Sequence, residues 1–146
     1  MVRFFSQAEE AAVIAAIQLA ESKTSGEIRV HVEKQGTGDI MREAVRVFRK
    51  LKMDRTALRN GVLILIAPER RSFAIIGDEG IDAVVPAGFW DAERDIMRAH
   101  FSRGEYGAGV CAVVHEVGEK LKVHFPRQEN DKNELSDEIS YGEESE

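Results

Sequence analysis

Val62, Leu63, Ile64, Leu65, Ile66 and Ala67 form an unbroken apolar run, with Asn60-Gly61 before it and Pro68 after it. A strand sends successive side chains to opposite faces, so a run with no polar member is apolar on both. Such a strand has to sit in the middle of a sheet, with a covering layer on each side. That requirement limits the fold more than any other feature of the chain.

The flanking segments can supply those layers. Glu27-Ile28-Arg29-Val30-His31-Val32-Glu33 alternates strictly. It predicts a strand with Ile28, Val30 and Val32 facing the core and His31 facing solvent. Ser72-Phe73-Ala74-Ile75-Ile76-Gly77 follows a short polar turn and predicts the return strand of a hairpin. Ser6 and Glu9 make a capping-box pattern ahead of a helix whose Val13, Ala16, Ile17 and Ala20 share a face. Asp39 is the expected N-cap of a second helix carrying Met41, Ala44, Val45, Phe48 and Leu51. A short helical piece is expected from Ile81, and Pro86 opens a helix with Phe89, Trp90, Met97 and Phe101. Val110, Val114, Val117 and Leu121 stripe the last helix. The order α-β-α-β-β-α-α predicts an α/β fold, a three-layer α/β/α sandwich around a small mixed sheet. Its first two strands are parallel through a right-handed crossover, and the third is antiparallel to the second.

Charge divides the chain unevenly. The 146 residues suit one domain, and the formal net charge is −6. Residues 125–146 hold eight acidic and two basic side chains, which accounts for that whole charge and leaves residues 1–124 neutral. Few apolar residues follow Pro126, so the expected organisation is a folded domain at 1–124 and an acidic, disordered tail at 125–146. A single cysteine, Cys111, excludes an intrachain disulfide and a thiolate metal cluster. It lies beside a core stripe and is expected to pack there. No apolar run approaches the roughly 20 residues of a membrane span, and the first residues lack a leader pattern. A cytoplasmic monomer without membrane insertion is the expectation.

The predicted topology brings particular residues to one edge. If Ala67 and Ser72 flank the hairpin turn, Gly61 lies opposite Asp78. If the first two strands are parallel, Glu27 and Gly61 start together. That edge gathers Glu27, Asp78, Glu79 and Asp82 with Asn60, Gly61, Gly77 and Gly80. Carboxylates and an amide oxygen suit a hard divalent cation, calcium or magnesium, and glycines allow close backbone approach. The same residues also read as a helix cap at Asp78 and a plain turn at Asn60-Gly61. The opposite edge, with Gly36, Gly38, Arg70 and Arg71, is a weaker candidate for phosphate. Arg42, Arg46, Arg49 and Lys50 share a face of the second helix. They read as a solvated face, with an anionic partner or the acidic tail as alternatives. Nucleic acid is disfavoured, because few aromatics lie nearby. No aspartyl-phosphate, zinc-protease or Walker pattern is present, and catalytic residues cannot be assigned from the sequence.

Taken together, Gly26-Glu27-Ile28-Arg29-Val30, Asn60-Gly61-Val62-Leu63-Ile64-Leu65 and Ile75-Ile76-Gly77-Asp78-Glu79-Gly80-Ile81 resemble the TPM domain. Phe101, Gly104, Tyr106 and Gly109 fit as well, and the likeness spans about residues 5–124. The whole is similar to stand-alone bacterial members. The resemblance implies an α/β/α sandwich. It implies divalent-cation binding as in some members, and a protein partner, since animal relatives modulate receptors. It also implies acid phosphatase activity as an alternative, since plant relatives are linked to that activity. The common doubled asparagine appears here as Arg59-Asn60.

Overall fold

The structure is a computed structural model that describes residues 4–34, 38–127 and 137–142. Helix α1 (Gln7–Glu21) opens on the expected capping box. The Glu9 amide donates to Ser6 Oγ, and Glu9 Oε1 accepts from the Ser6 amide. Strand β1 (Glu27–Val32) leads to α2 (Ile40–Lys50), whose N-cap Asp39 accepts from the Met41 amide. Then come β2 (Gly61–Ala67) and β3 (Ser72–Gly77). A single turn, α3 (Glu79–Asp82), follows, then α4 (Phe89–Phe101) and α5 (Tyr106–His124). Helix α4 starts later than Pro86 suggests, because Gly88 turns the chain at φ 82° before the helix begins.

All seven residues of β2 are buried. Val62, Ile64 and Ile66 pack with Ile28 and Val30 of β1 against Val13 and Ile17 of α1, Met97 of α4, and Val110, Val114 and Leu121 of α5. Leu63 and Leu65 face the other way, onto Ala44, Val47 and Phe48 of α2 and onto Met53. The sheet is thus covered on both faces, and the α/β/α class holds. Strands β1 and β2 run parallel from Glu27↔Gly61 to Val32↔Ile66, and β2 pairs antiparallel with β3 from Val62↔Gly77 to Ala67↔Ser72.

The sheet has a fourth strand that the pattern did not announce. Strand β4 (Ser140–Tyr141), from the segment read as tail, lies parallel to β1, and the order is β3-β2-β1-β4. The three-stranded expectation is corrected on this point, because two residues are too few to display alternation. The neighbouring Ile139 is buried in the main core. His31 is corrected with it. It is 4% exposed, not solvated, because β4 covers it and Ser140 Oγ lies 2.7 Å from its Nδ1. Residues 125–127 also pair back, as Ser25 N–H donates to the Phe125 carbonyl and Arg127 N–H to that of Lys23. Cys111 packs against the main core, as expected.

Because β2 feeds two separate core layers, truncation on either face should be costly. Ile64→Ala and Leu65→Ala are each expected to lower stability by about 2–5 kcal/mol in urea unfolding. A near-neutral result for either variant would mean that its face is not core.

Candidate functional site

The register places the starts of β1 and β2 and the end of β3 at one edge, as the topology required. Glu27 N–H donates to the Asn60 carbonyl, and Asp78 N–H to that of Gly61. The side chains at this edge nevertheless fall into two separate groups.

The first group surrounds Asp78. Asp78 caps α3, with Oδ1 accepting from the Glu79 amide. Arg59 adopts the left-handed region at φ 52° and grips Asp78 with two nitrogens, Nε at 2.7 Å and Nη2 at 2.9 Å. Its Nη1 lies 3.3 Å from Glu79. A guanidinium therefore already stands where a cation would have to approach Asp78 and Glu79. Asp82 turns away to accept from the Trp90 indole N–H and lines a different groove with Met41, Ile76 and Arg94.

The glycines of this group are explained by the protein's own packing. A Cβ on Gly77 would sit 2.5 Å from the Trp90 ring, and one on Gly80 would sit 2.2 Å from the Leu58 carbonyl oxygen. Gly61 backs onto the Met53 carbonyl. The space that would admit a ligand at these positions is filled by neighbouring chain.

The second group surrounds Glu27. It forms a recess of about 340 Å³ lined by Glu21, Thr24, Ser25, Glu27, Arg127 and Asp137, among others. Asn60 reaches its rim, with Nδ2 3.5 Å from Ser25 Oγ. Glu21, from the end of α1, is only 5% exposed. Its Oε2 accepts from the Ile28 amide at 2.8 Å, which fixes it at the mouth of β1. Its Oε1 is buried without a hydrogen-bond donor. Burial pushes the Glu21 carboxyl up to about 9, and the facing Asp137 and the nearby Glu27 push in the same direction. Arg127 directs Nη1 to the main-chain carbonyl of Glu21. Gly26 is small because a Cβ there would meet Leu121 at 2.6 Å. Sequence reasoning found Glu27 but missed Glu21, which occupies a core-facing position at a helix end. It also missed Asp137, which the tail brings in from the far end of the chain.

The remaining candidates are placed as follows. Arg42, Arg46, Arg49 and Lys50 are exposed along α2. Arg46 and Arg70 both pair with the buried Glu43. The described part of the tail pairs with β1. Gly36 lies outside the described residues, and Arg70 also donates to the Gly38 carbonyl. Among the described residues, no group of three or more His, Cys, Asp or Glu side chains stands ready to hold a metal, and no helix is long and apolar enough to cross a membrane.

Comparison with protein families matches residues 1–120 to the TPM domain. The chain belongs to the TPM domain family. Among solved structures, this TPM domain resembles the BA42 protein of the psychrophilic bacterium Bizionia argentinensis, determined by NMR. The two are 42% identical with a TM-score of 0.89, covering 97% of this chain and 98% of that one. The N-terminal domains of the cg2496 protein of Corynebacterium glutamicum and of a P. gingivalis protein share the fold. Their TM-scores are 0.63 and 0.66, at 18% and 20% identity. They cover 80% and 84% of this chain, and 74% and 79% of their own. No curated protein matches.

Two predictions follow from the geometry of this TPM domain. Arg59→Asn keeps a residue type that tolerates the left-handed conformation and removes the guanidinium from Asp78. Amides of residues 78–82 are expected to shift saturably with calcium in the variant and to stay still in the native protein. Shifts there in both proteins would show that Arg59 does not hold this edge closed.

The second concerns pH. The folded Glu21 carboxyl titrates near 9 against a usual value of 4.5. Between those values the unfolded chain binds fewer protons at this group, so the contribution of Glu21 to stability is greatest below 4.5 and falls as pH rises towards 9. Glu93, pushed up to about 7 by burial and by Glu116, adds a slope of the same sign over a narrower range. Glu21→Gln should therefore flatten the urea-measured stability curve by up to about 1 kcal/mol per pH unit. The difference from the native protein should persist above pH 7, where the Glu93 contribution has ended. Parallel curves for the two proteins above pH 7 would refute the assignment to Glu21.

Proposed function

We propose that this TPM domain is a divalent-cation-binding module with a regulatory role, and that its cation site is the recess of Glu21, Glu27 and Asp137. The observation that carries the reading is the buried Oε1 of Glu21, which has no donor and faces a second carboxylate. Desolvated carboxylates brought together call for a positive charge between them or for a proton. Thr24 and Ser25 add hydroxyl oxygens to the lining. An all-oxygen donor set suits calcium or magnesium and does not suit metals that prefer sulfur or imidazole. Arg127 is the one basic side chain against three acidic ones in that lining. The three carboxylates do not stand gathered for an ion, so binding requires them to move together, which the adaptable coordination of calcium allows.

The Asp78 edge fits a cation less well, because Arg59 already pairs with Asp78 and Glu79. The role of the Gly77-Asp78-Glu79-Gly80 motif in this reading is to cap α3 and seat the Arg59 turn.

An amide-shift titration of the full chain with calcium, repeated with magnesium, tests the proposal. Saturable shifts are expected at Glu21, at residues 24–28 and at Asp137. Glu27→Gln should weaken the affinity about tenfold or more, the scale of losing one charged ligand. Shifts that do not saturate, or that leave residues 21–28 unmoved, would overturn it.

A further inference from the structure

Helix α2 buries one side and leaves the other to solvent. Glu43, Ala44, Val47 and Phe48 are buried, and the last three share a core layer with Leu63 and Leu65 of β2. The outward side carries two rows at helical spacing. Arg42, Arg46 and Lys50 form one row, Met41, Val45 and Arg49 the other, and all six are exposed. Lys52 and Arg55, at the short turn that follows (Met53–Arg55), are exposed as well.

Carboxylates do little to balance this face. Residues 39–55 hold six basic and three acidic side chains, a net +3 within a body, residues 1–124, that is neutral. Asp39 caps the helix, Asp54 is half-buried, and Glu43 is buried and shared by Arg46 and Arg70. Among the described residues, no ion pair holds Arg42, Arg49, Lys50, Lys52 or Arg55.

The side chains between the cations select the partner. Met41 and Val45 are each 42% exposed, and the aromatic ring of the helix, Phe48, is turned into the core. Single-stranded nucleic acid would want exposed rings for its bases to stack on. An acidic protein that takes a basic amphipathic helix into a groove grips its apolar side, which here is already packed against β2. A layer of anionic lipid needs neither. It attracts Lys and Arg held at its surface, and its headgroup region accepts apolar side chains that lie beside them. Clusters of about four to eight Lys and Arg on an amphipathic helix have this property, and this face holds six.

We infer that the outward face of α2 and the turn after it form a docking surface for anionic lipid. The helix lies along the membrane surface, with its cations at acidic headgroups and with Met41 and Val45 reaching into the headgroup layer. No segment crosses the bilayer in this contact. The surface uses none of the residues of the cation recess, so the two stand or fall separately.

Sedimentation of the full-length protein with vesicles tests the inference, at about 0.1 M salt, where surface charges act over roughly 10 Å. One vesicle is phosphatidylcholine alone, and the other is phosphatidylcholine mixed equally with phosphatidylglycerol. Binding is expected only to the mixed vesicles and should weaken with added salt. Arg42→Gln with Arg49→Gln should lower the partition about 25-fold, at about fivefold per cation. Val45→Gln should lower it about threefold. Arg103→Gln with Lys122→Gln removes two exposed cations from the α4–α5 layer and should leave the partition within about twofold of native. Equal binding to both vesicles, or to neither, would overturn the inference. Native binding by the Arg42 and Arg49 variant would do the same, as would an equal loss in the α4–α5 variant, since overall charge and not this face would then be responsible. If Val45→Gln binds like the native protein and a single-stranded oligonucleotide strips the protein from the vesicles, the face serves nucleic acid and the lipid assignment falls.

Discussion

The double burial of β2 is the constraint on which the other features rest. Its side chains serve two core layers, and its main chain is paired on both sides, parallel to β1 and antiparallel to β3. A strand with one parallel and one antiparallel neighbour brings the starts of two strands and the end of a third to the same edge. The loops at that edge carry the charged residues, because loops at sheet ends reach water where buried strands cannot. The carboxylates gather at this edge because of the register of the sheet.

That edge handles its negative charge in two ways. At Asp78 the answer is a guanidinium, fixed in place by a left-handed backbone at Arg59 that asparagine or glycine would adopt more readily. At Glu21 a side-chain base is not the main answer, and the carboxyl keeps its proton well above the usual range because it is desolvated and faces Asp137. In the first arrangement a guanidinium grips the carboxylate with two nitrogens. In the second, Oε1 of Glu21 is buried without a hydrogen-bond donor.

Much of the fold was legible because it is written in short-range periodicity. The Ser6–Glu9 capping box, the Asp39 cap, the alternation of β1 and the solid run of β2 each signal within one element, and each holds in the structure. The hairpin register followed from the turn, which in turn placed Asp78 beside Gly61. Strand β4 was not legible. Its two residues show no period, and its partner β1 lies far away in sequence. The assignment of His31 to solvent failed for the same reason, since the cover over that face comes from β4 and not from a neighbour in sequence.

By itself, the sequence determined the layers of this protein, the direction of its three long strands and the edge where its charged loops meet. Those properties depend on which faces of each element are apolar, and side-chain spacing records that directly. Only the tertiary structure decided which carboxylates at that edge share a recess. Glu21 reads in the sequence as one more residue of an amphipathic helix, and Asp137 as one more acid in a tail. Their meeting depends on how far each is removed from water and on what faces it there. Those are distances through space between segments that the chain keeps far apart.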